Sequence, residues 1–172
     1  AKLVLSDRFG DEIPCYKFFN GKYEKSMLYE CDYGNNFDYS CCIVIGELSL
    51  TEKRRFGFND LFRIVERLRA ENGCPWDRAQ TKESIRINTI EEAYELVDAV
   101  TQNDEDGMCE EIGDLLLQAV FQTVFAEERN SFDRNDVLSG VCEKLISRHT
   151  HIFGIDRAEN ESTALDIWNK NK

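Results

Sequence analysis

The residues best able to do chemistry in this sequence are acids, and they are bunched. From Ile87 through Glu128 there is no Lys or Arg, yet Glu91, Glu92, Glu95, Asp98, Asp104, Glu105, Asp106, Glu110, Glu111, Asp114, Glu127 and Glu128 all fall there. These twelve carry the whole formal charge of −12, because the other 21 acids balance the 21 bases. On a helix advancing about 100° per residue, Glu91, Glu92, Glu95 and Asp98 share about 120° of arc, opposite a broad apolar face of Ile90, Ala93, Leu96, Val97 and Val100. Acids three or four residues apart repel by roughly 0.2–0.5 kcal/mol per pair, and no cation within the segment relieves them. Water or a metal ion must absorb that field.

A second segment decides between the two. Cys109 to Glu128 reads as a nearly all-round apolar helix, which belongs in a core, with one narrow polar stripe of Glu111, Asp114, Gln118 and Gln122. A buried carboxylate is costly unless paired or ligating a cation, and no base lies nearby in sequence. Two facing helices, each offering acids at i and i+3, would form an all-oxygen cage. That donor set suits hard ions such as Mg²⁺ or Mn²⁺. The intervening Asp104-x-Asp106-Gly107 fails as a calcium loop, with Gln102 at its first ligand position and Gly113 at its twelfth. It reads as a turn with solvated acids.

Downstream, Lys144, Arg148 and His149 stand at i, i+4 and i+5, followed by His151. Bases at a helix C-terminus can simply complement its dipole. Opposite an oxygen-bound cation the same cluster makes an anion clamp, with Arg giving two parallel N–H bonds to phosphate and Lys a point charge. Zinc on the two histidines is disfavoured, since no Cys or acid at standard spacing completes the set.

The elements that must position these groups can be read from periodicity. Residues 1–50 carry short β-branched or aromatic runs at Lys2 to Leu5, Ile13 to Phe19, Ser26 to Cys31 and Cys41 to Ile45. Gly10, Asn20-Gly21 and Gly34-Asn35-Asn36 separate them, which predicts strands and turns, with a tight hairpin at Asn20-Gly21. Residues 51–58 read as a linker. From Asn59 the period turns helical, with Asn59 or Asp60 as cap, until Asn72-Gly73 and Pro75 stop it; Gly73 to Asp77 reads as a loop. Helices are predicted at Ile85 to Gln102, Cys109 to Glu128 and, behind an Asp133 cap, Arg134 to Arg148, with a short amphipathic piece at Thr163 to Trp168. The expected fold is mainly α, a helical bundle over 59–172 with a small β-rich N-terminal segment.

Composition sets the outer bounds. With 172 residues, 42% hydrophobic and 31% charged, the chain fits one globular domain plus a fragment. The longest apolar stretch, Leu115 to Phe125, is interrupted by Gln118 and Gln122 and too short to cross a bilayer. No basic-then-apolar leader stands at the N-terminus, so a cytoplasmic location is expected, without membrane attachment. The net charge of −12 argues against nucleic acid as a partner. Seven cysteines without a Cys-x-x-Cys pair read as reduced, mostly buried thiols.

Several motifs in order carry a family resemblance. Gly73-Cys74-Pro75-Trp76-Asp77 with Gln80-Thr81 and Ser84, then Glu91-Glu92-x-x-Glu95, Glu110-Glu111-x-x-Asp114 and Lys144-x-x-x-Arg148-His149-x-His151-x-Phe153 resemble the MazG family of nucleoside triphosphate pyrophosphohydrolases. The resemblance runs from about Phe58 to Lys170. It implies an all-α fold, a tight dimer or higher homo-oligomer that completes the site, and Mg²⁺-dependent hydrolysis of NTPs and dNTPs to monophosphate and pyrophosphate. It also implies Glu92, Glu95, Glu111 and Asp114 as metal ligands, with Lys144 and Arg148 on the phosphates. Trp76, Asp77, His149, Trp168 and Lys170 would be the further substrate contacts. Thr150 replaces the Pro often found between the two histidines. The first fifty residues resemble the tail of the tetrapyrrole-methylase-like domain that precedes MazG in some two-domain proteins, without a Gly-rich methyl-donor loop.

As chemistry, pyrophosphohydrolysis asks for charge neutralisation, orientation and an acidified water. Glu91 is the best spare carboxylate to accept the water's proton, with Glu95 and Glu110 as replacements, and Lys144 assists at the phosphates. Two readings compete. One is a narrower pyrophosphohydrolase for dUTP, dCTP or a phosphoribosyl-nucleotide; the other is a nonenzymatic acidic helical interaction module.

Overall fold

A computed structural model describes residues 2–19, 21–33, 41–46 and 48–172. Among them are eight α-helices and three strands, the mainly α architecture with a small N-terminal sheet that the periodicity predicts. The chain forms two compact units, Ala1–Gly73 and Cys74–Lys172.

In the first unit, α1 (Lys2–Phe9) is followed by an antiparallel sheet of order β2-β1-β3, built from β1 (Pro14–Phe19), β2 (Lys22–Met27) and β3 (Cys42–Ile45). The expected strand at Lys2 to Leu5 is therefore a helix. Only Val4 in that run is β-branched, while Leu and Lys favour helix, and four residues are too few to fix a period. Gly10 ends α1 with φ of +87°, a conformation glycine adopts without strain. The expected Ser26 to Cys31 strand is also displaced: β2 ends at Met27, and Leu28 to Glu30 turn as a 3-10 helix. β2 is an edge strand rich in Lys and Glu, so it lacks the alternation that marks strands. Asn20 of the predicted hairpin and all of Gly34-Asn35-Asn36 lie outside the described residues; Gly21 has φ of +73°.

One sheet face buries Cys15, which forms a core with Leu28 and Cys31, flanked by Leu5, Ile43 and Ile45. Burial, and then the neighbouring Cys31 thiol at 3.2 Å, push the Cys15 thiol up to about 12. The expectation of mostly buried cysteines fails elsewhere. Cys41 and Cys74 are half-buried, and Cys42, Cys109 and Cys142 are exposed, because small thiols are tolerated on outer faces too. Residues 51–55 form turns and bends in which Lys53 pairs with Asp60. The next helix, α2 (Phe58–Arg69), begins one residue before the predicted cap. Asp60 sits one turn inside and accepts the Gly57 N–H at 2.9 Å, so it caps from within the helix. Phe62 and Val65 are the buried residues of its apolar stripe.

The second unit opens with α3 (Pro75–Ala79), where a loop was expected. Proline at the first helical position has its φ preset for a helix and loses no needed donor. Then come α4 (Arg86–Gln102) and α5 (Glu105–Glu128), which pack on each other across a two-residue turn. Asn103 closes α4 in the left-handed region, and the Asp104 side chain accepts the Gly107 N–H at 3.1 Å. A Cβ on Gly107 would come within 2.7 Å of that carboxylate, so a larger residue would displace the capping side chain. This cap starts α5 at Glu105, earlier than the apolar pattern suggests. The helices α6 (Arg134–Arg148), α7 (Thr150–Phe153) and α8 (Glu161–Lys170) complete the unit. Asp133 caps α6 as predicted, accepting from the N–H groups of Asn135 at 2.7 Å and Asp136 at 2.9 Å.

The junction of α5 with α6 rests on Glu127 and Arg134. The guanidinium donates from Nε at 2.8 Å and Nη2 at 2.7 Å, and the Arg134 backbone N–H adds a third bond at 2.9 Å. These bonds hold the Glu127 carboxyl below the usual carboxylate range. Such a group stabilises the fold above its unfolded pKa of about 4.3, and the contribution disappears as pH falls through the lower folded value. Glu127→Gln should therefore lower stability at pH 7 by about 1–2 kcal/mol. Urea unfolding at several pH values should show the gap to wild type closing below about pH 4.

Candidate active site

The face that α4 turns towards α5 selects among its four acids. Half-buried or buried positions on α4 are Asn88, Thr89, Glu92, Ala93, Leu96 and Ala99, an arc that straddles the border between the apolar and acidic sides. Glu92 lies inside this arc and Glu95 at its edge, whereas Glu91 and Asp98 are exposed beyond it. The expected apolar face splits accordingly. Ala93 and Leu96 go inward, but Ile90, Val97 and Val100 stay exposed, since one neighbouring helix can cover only part of a broad stripe.

On α5 the stripe of Glu111, Asp114, Gln118 and Gln122 follows the contact. Its lower half is mostly buried as predicted, at Gln118, Val120, Phe121 and Thr123 to Ala126, but Ala119 is exposed and Ile112 and Leu116 also remain exposed. Glu92, Glu95 and Glu111 each bring one carboxylate oxygen to a common locus where all three lie within 4.8 Å of one another. Glu111 Oε2 is sealed from solvent and accepts no hydrogen bond. Asp114 stands outside this tight trio, yet its charge acts on both Glu92 and Glu111.

The electrostatics follow from this placement. Burial first, then the charges of Asp114 and Glu95, raise the Glu92 carboxyl above its ordinary value, opposed by an amide bond from Gln118. Glu111 is raised by burial and then by Glu95, Glu110, Glu92 and Asp114. An orphaned buried oxygen among clustered carboxylates, all hard oxygen donors, fits a divalent cation of the Mg²⁺ or Mn²⁺ type.

A second group of side chains gathers where α6, α7 and α8 meet. The Arg148 guanidinium carbon lies 5.0 Å from the Trp168 ring centre, and the His149 ring meets Trp168 edge-on at 4.9 Å. His149 Nδ1 is 2.6 Å from the Leu145 carbonyl, which can only accept, so Nδ1 carries the proton. A cavity of about 340 Å³ is lined by His149, His151, Glu161, Ala164, Leu165 and Trp168.

The predicted site residues thus fall into two gatherings, with Glu91, Lys144, Lys170, Trp76 and Asp77 outside them. Glu92, Glu95, Glu111 and the adjacent Asp114 form one gathering, and Arg148, His149 and Trp168 the other. Lys144 is exposed on α6, and Lys170 is exposed near the end of α8. On α3, Trp76 is 64% exposed while Asp77 is buried. Of the cavity residues, Glu161 escapes sequence reasoning, and His151 reads there as part of the motif without a substrate contact. Residues 150–153 turning as a helix places His151 beside His149, a turn that no cap or periodic run announces. Glu161 opens α8, which starts two residues before its apolar pattern because Asn160 caps it.

Helical fold and carboxylate trio define a class: an α-helical domain with an oxygen-donor cage between two antiparallel helices. Residues 80–153 match the MazG nucleotide pyrophosphohydrolase domain. A nucleoside triphosphate pyrophosphohydrolase/pyrophosphatase MazG of Thermotoga maritima is 50% identical over 97 residues, covering 56% of this chain and 38% of the relative. A nucleoside triphosphate pyrophosphohydrolase of Escherichia coli K12 is 45% identical over 113 residues, covering 65% of this chain and 43% of the relative. The chain thus spans about two-fifths of the length of these curated relatives. The crystal structure of a mazG-related protein from Thermotoga maritima superposes with a TM-score of 0.56 at 27% identity, covering 66% of this chain and 96% of that one.

Proposed function

We propose that this chain hydrolyses ribo- and deoxyribonucleoside triphosphates to the monophosphate and pyrophosphate. Water adds to the α-phosphorus, the bond from that phosphorus to the α–β bridging oxygen breaks, and pyrophosphate leaves. The observation that carries the reading is the approach of carboxylate oxygens of Glu92, Glu95 and Glu111 to within 4.8 Å of one another. The names of the relatives supply the substrate class.

Glu92, Glu95, Glu111 and Asp114 hold the divalent ion, Mg²⁺ with Mn²⁺ as a substitute. When bound, that ion neutralises charge on the triphosphate and acidifies water. Glu91 is next to Glu92 in sequence and exposed, free to accept the proton of the attacking water; Glu95 and Glu110 are its alternates. Arg148 offers parallel N–H donors to phosphate oxygens, and exposed Lys144 adds a mobile positive charge that stabilises charge on the leaving pyrophosphate. Trp168, held by Arg148 and His149, presents an aromatic surface to the nucleotide, with Trp76, Asp77 and Lys170 as further contacts.

The active unit we propose is a homodimer. Exposed Ile87, Ile90, Tyr94 and Val97 repeat on α4 at spacings of three, four and three, the pattern of a helix seam. Tyr94 alone is 70% exposed, and Ile112 and Leu116 of α5 extend the apolar surface. A second copy covers such a stripe and brings its own side chains to the site.

Two measurements test this. Pyrophosphate release from a mixed pool of NTPs should require Mg²⁺ and be lost in Glu111→Gln; wild-type turnover by that variant excludes the cage. In sedimentation velocity, Val97→Glu should shift the wild-type dimer to monomer, since one charge in an apolar seam costs several kcal/mol. An unshifted dimer contradicts the assigned face.

A further inference from the structure

Two members of the α5 stripe take no part in the chemistry proposed above. Gln118 and Gln122 continue the line of Glu111 and Asp114 at i+7 and i+11, and each amide reaches off its own helix. Gln122 Nε2 donates to the Lys82 carbonyl at 3.1 Å, tying α5 to the segment that leads into α4. Gln118 Nε2 lies 3.4 Å from Glu92 Oε1. Gln118 is only 8% exposed, so its amide cannot exchange protein partners for bulk water without cost. The carboxylate can only accept, which sets the orientation of the amide, NH₂ towards Glu92.

We infer that Gln118 is a positioning residue, which holds Glu92 Oε1 so that the other carboxylate oxygen, Oε2, is presented to the cation. The inference rests on the metal reading above. Glu92 and Glu95 stand on the same helix, one turn apart, and Glu111 approaches from the other. A glutamate has three side-chain torsions, and like-charge repulsion within the trio drives its head outward to solvent. An amide fixed on a buried turn of α5 opposes that drift at Glu92. It does so with a donor that carries no formal charge, so it does not compete with the ion for the carboxylates. Outer hydrogen bonds of this kind usually change metal affinity by about ten- to a hundredfold when removed.

The test is Mn²⁺ affinity of the full chain without nucleotide, followed by electron paramagnetic resonance. Gln118→Met keeps the length and helix preference but removes the donor, and should weaken Mn²⁺ binding by about tenfold or more. Gln122→Met, which cuts only the tie to Lys82, should bind Mn²⁺ as wild type does. In a Glu92→Asp background, where the carboxylate is drawn back from Gln118, adding Gln118→Met should cost nothing further; a structural role would instead give independent, additive losses. Should Gln118→Met fail to fold, Gln118→Asn carries the same comparison, since it keeps a buried amide but is one methylene too short. Unchanged affinity in the Gln118 variants, or full additivity with Glu92→Asp, overturns the assignment while leaving the metal site standing. Absence of Mn²⁺ binding by the wild type overturns the metal reading, and the role of Gln118 with it.

Discussion

The structure of the second unit turns on like charge held at close range. Three carboxylate oxygens from two helices share a space no wider than 4.8 Å, and Asp114 adds a fourth charge nearby. Ionised carboxylates at that separation repel one another, less so where Glu95 meets solvent. The cost is met locally by rigid supports: the Asn103–Asp104 turn, the glycine that lets Asp104 cap α5, and the Glu127–Arg134 junction at the far end. None of these supports cancels the repulsion. They hold the helices together against it, which leaves a locus of negative potential suited to a cation.

Much of this was readable because charge and periodicity point the same way between Ile87 and Glu128. A stretch without bases, acids at i and i+3 on two helices, and a short connection are enough to expect the cage. What periodicity could not resolve is which edge of a broad face turns inward. On α4 the apolar and acidic arcs are each about a third of the helix circumference, and the contact with α5 falls on the border between them. Periodicity alone therefore did not separate Glu92 from Glu91; the motif resemblance did, and the contact with α5 places Glu92 on the inner side. The same limit explains why Ile90 and Val97, read as one face with Ala93 and Leu96, lie exposed.

Short elements were the least legible. Lys2–Phe9, Pro75–Ala79 and Thr150–Phe153 are helices of eight residues or fewer, below the length at which a 3.6-residue period separates from noise. Their limits depend on single residues: a proline at Pro75, a glycine stop at Gly10, and the end of α6 at His149. Caps with charged side chains were easier, as at Asp133, because the side chain that satisfies the helix N–H groups is the signal itself. Gln118 was visible in the stripe, but its partner was not, since an amide hydrogen bond between helices leaves no mark on either sequence alone.

The most direct trial of the cage is diffraction at the manganese absorption edge from crystals grown with Mn²⁺ and a nonhydrolysable nucleoside triphosphate. An anomalous peak within about 2.5 Å of oxygens from Glu92, Glu95 and Glu111 is the expected result. Saturating Mn²⁺ that leaves no peak there, with those side chains turned apart into solvent, would contradict the account.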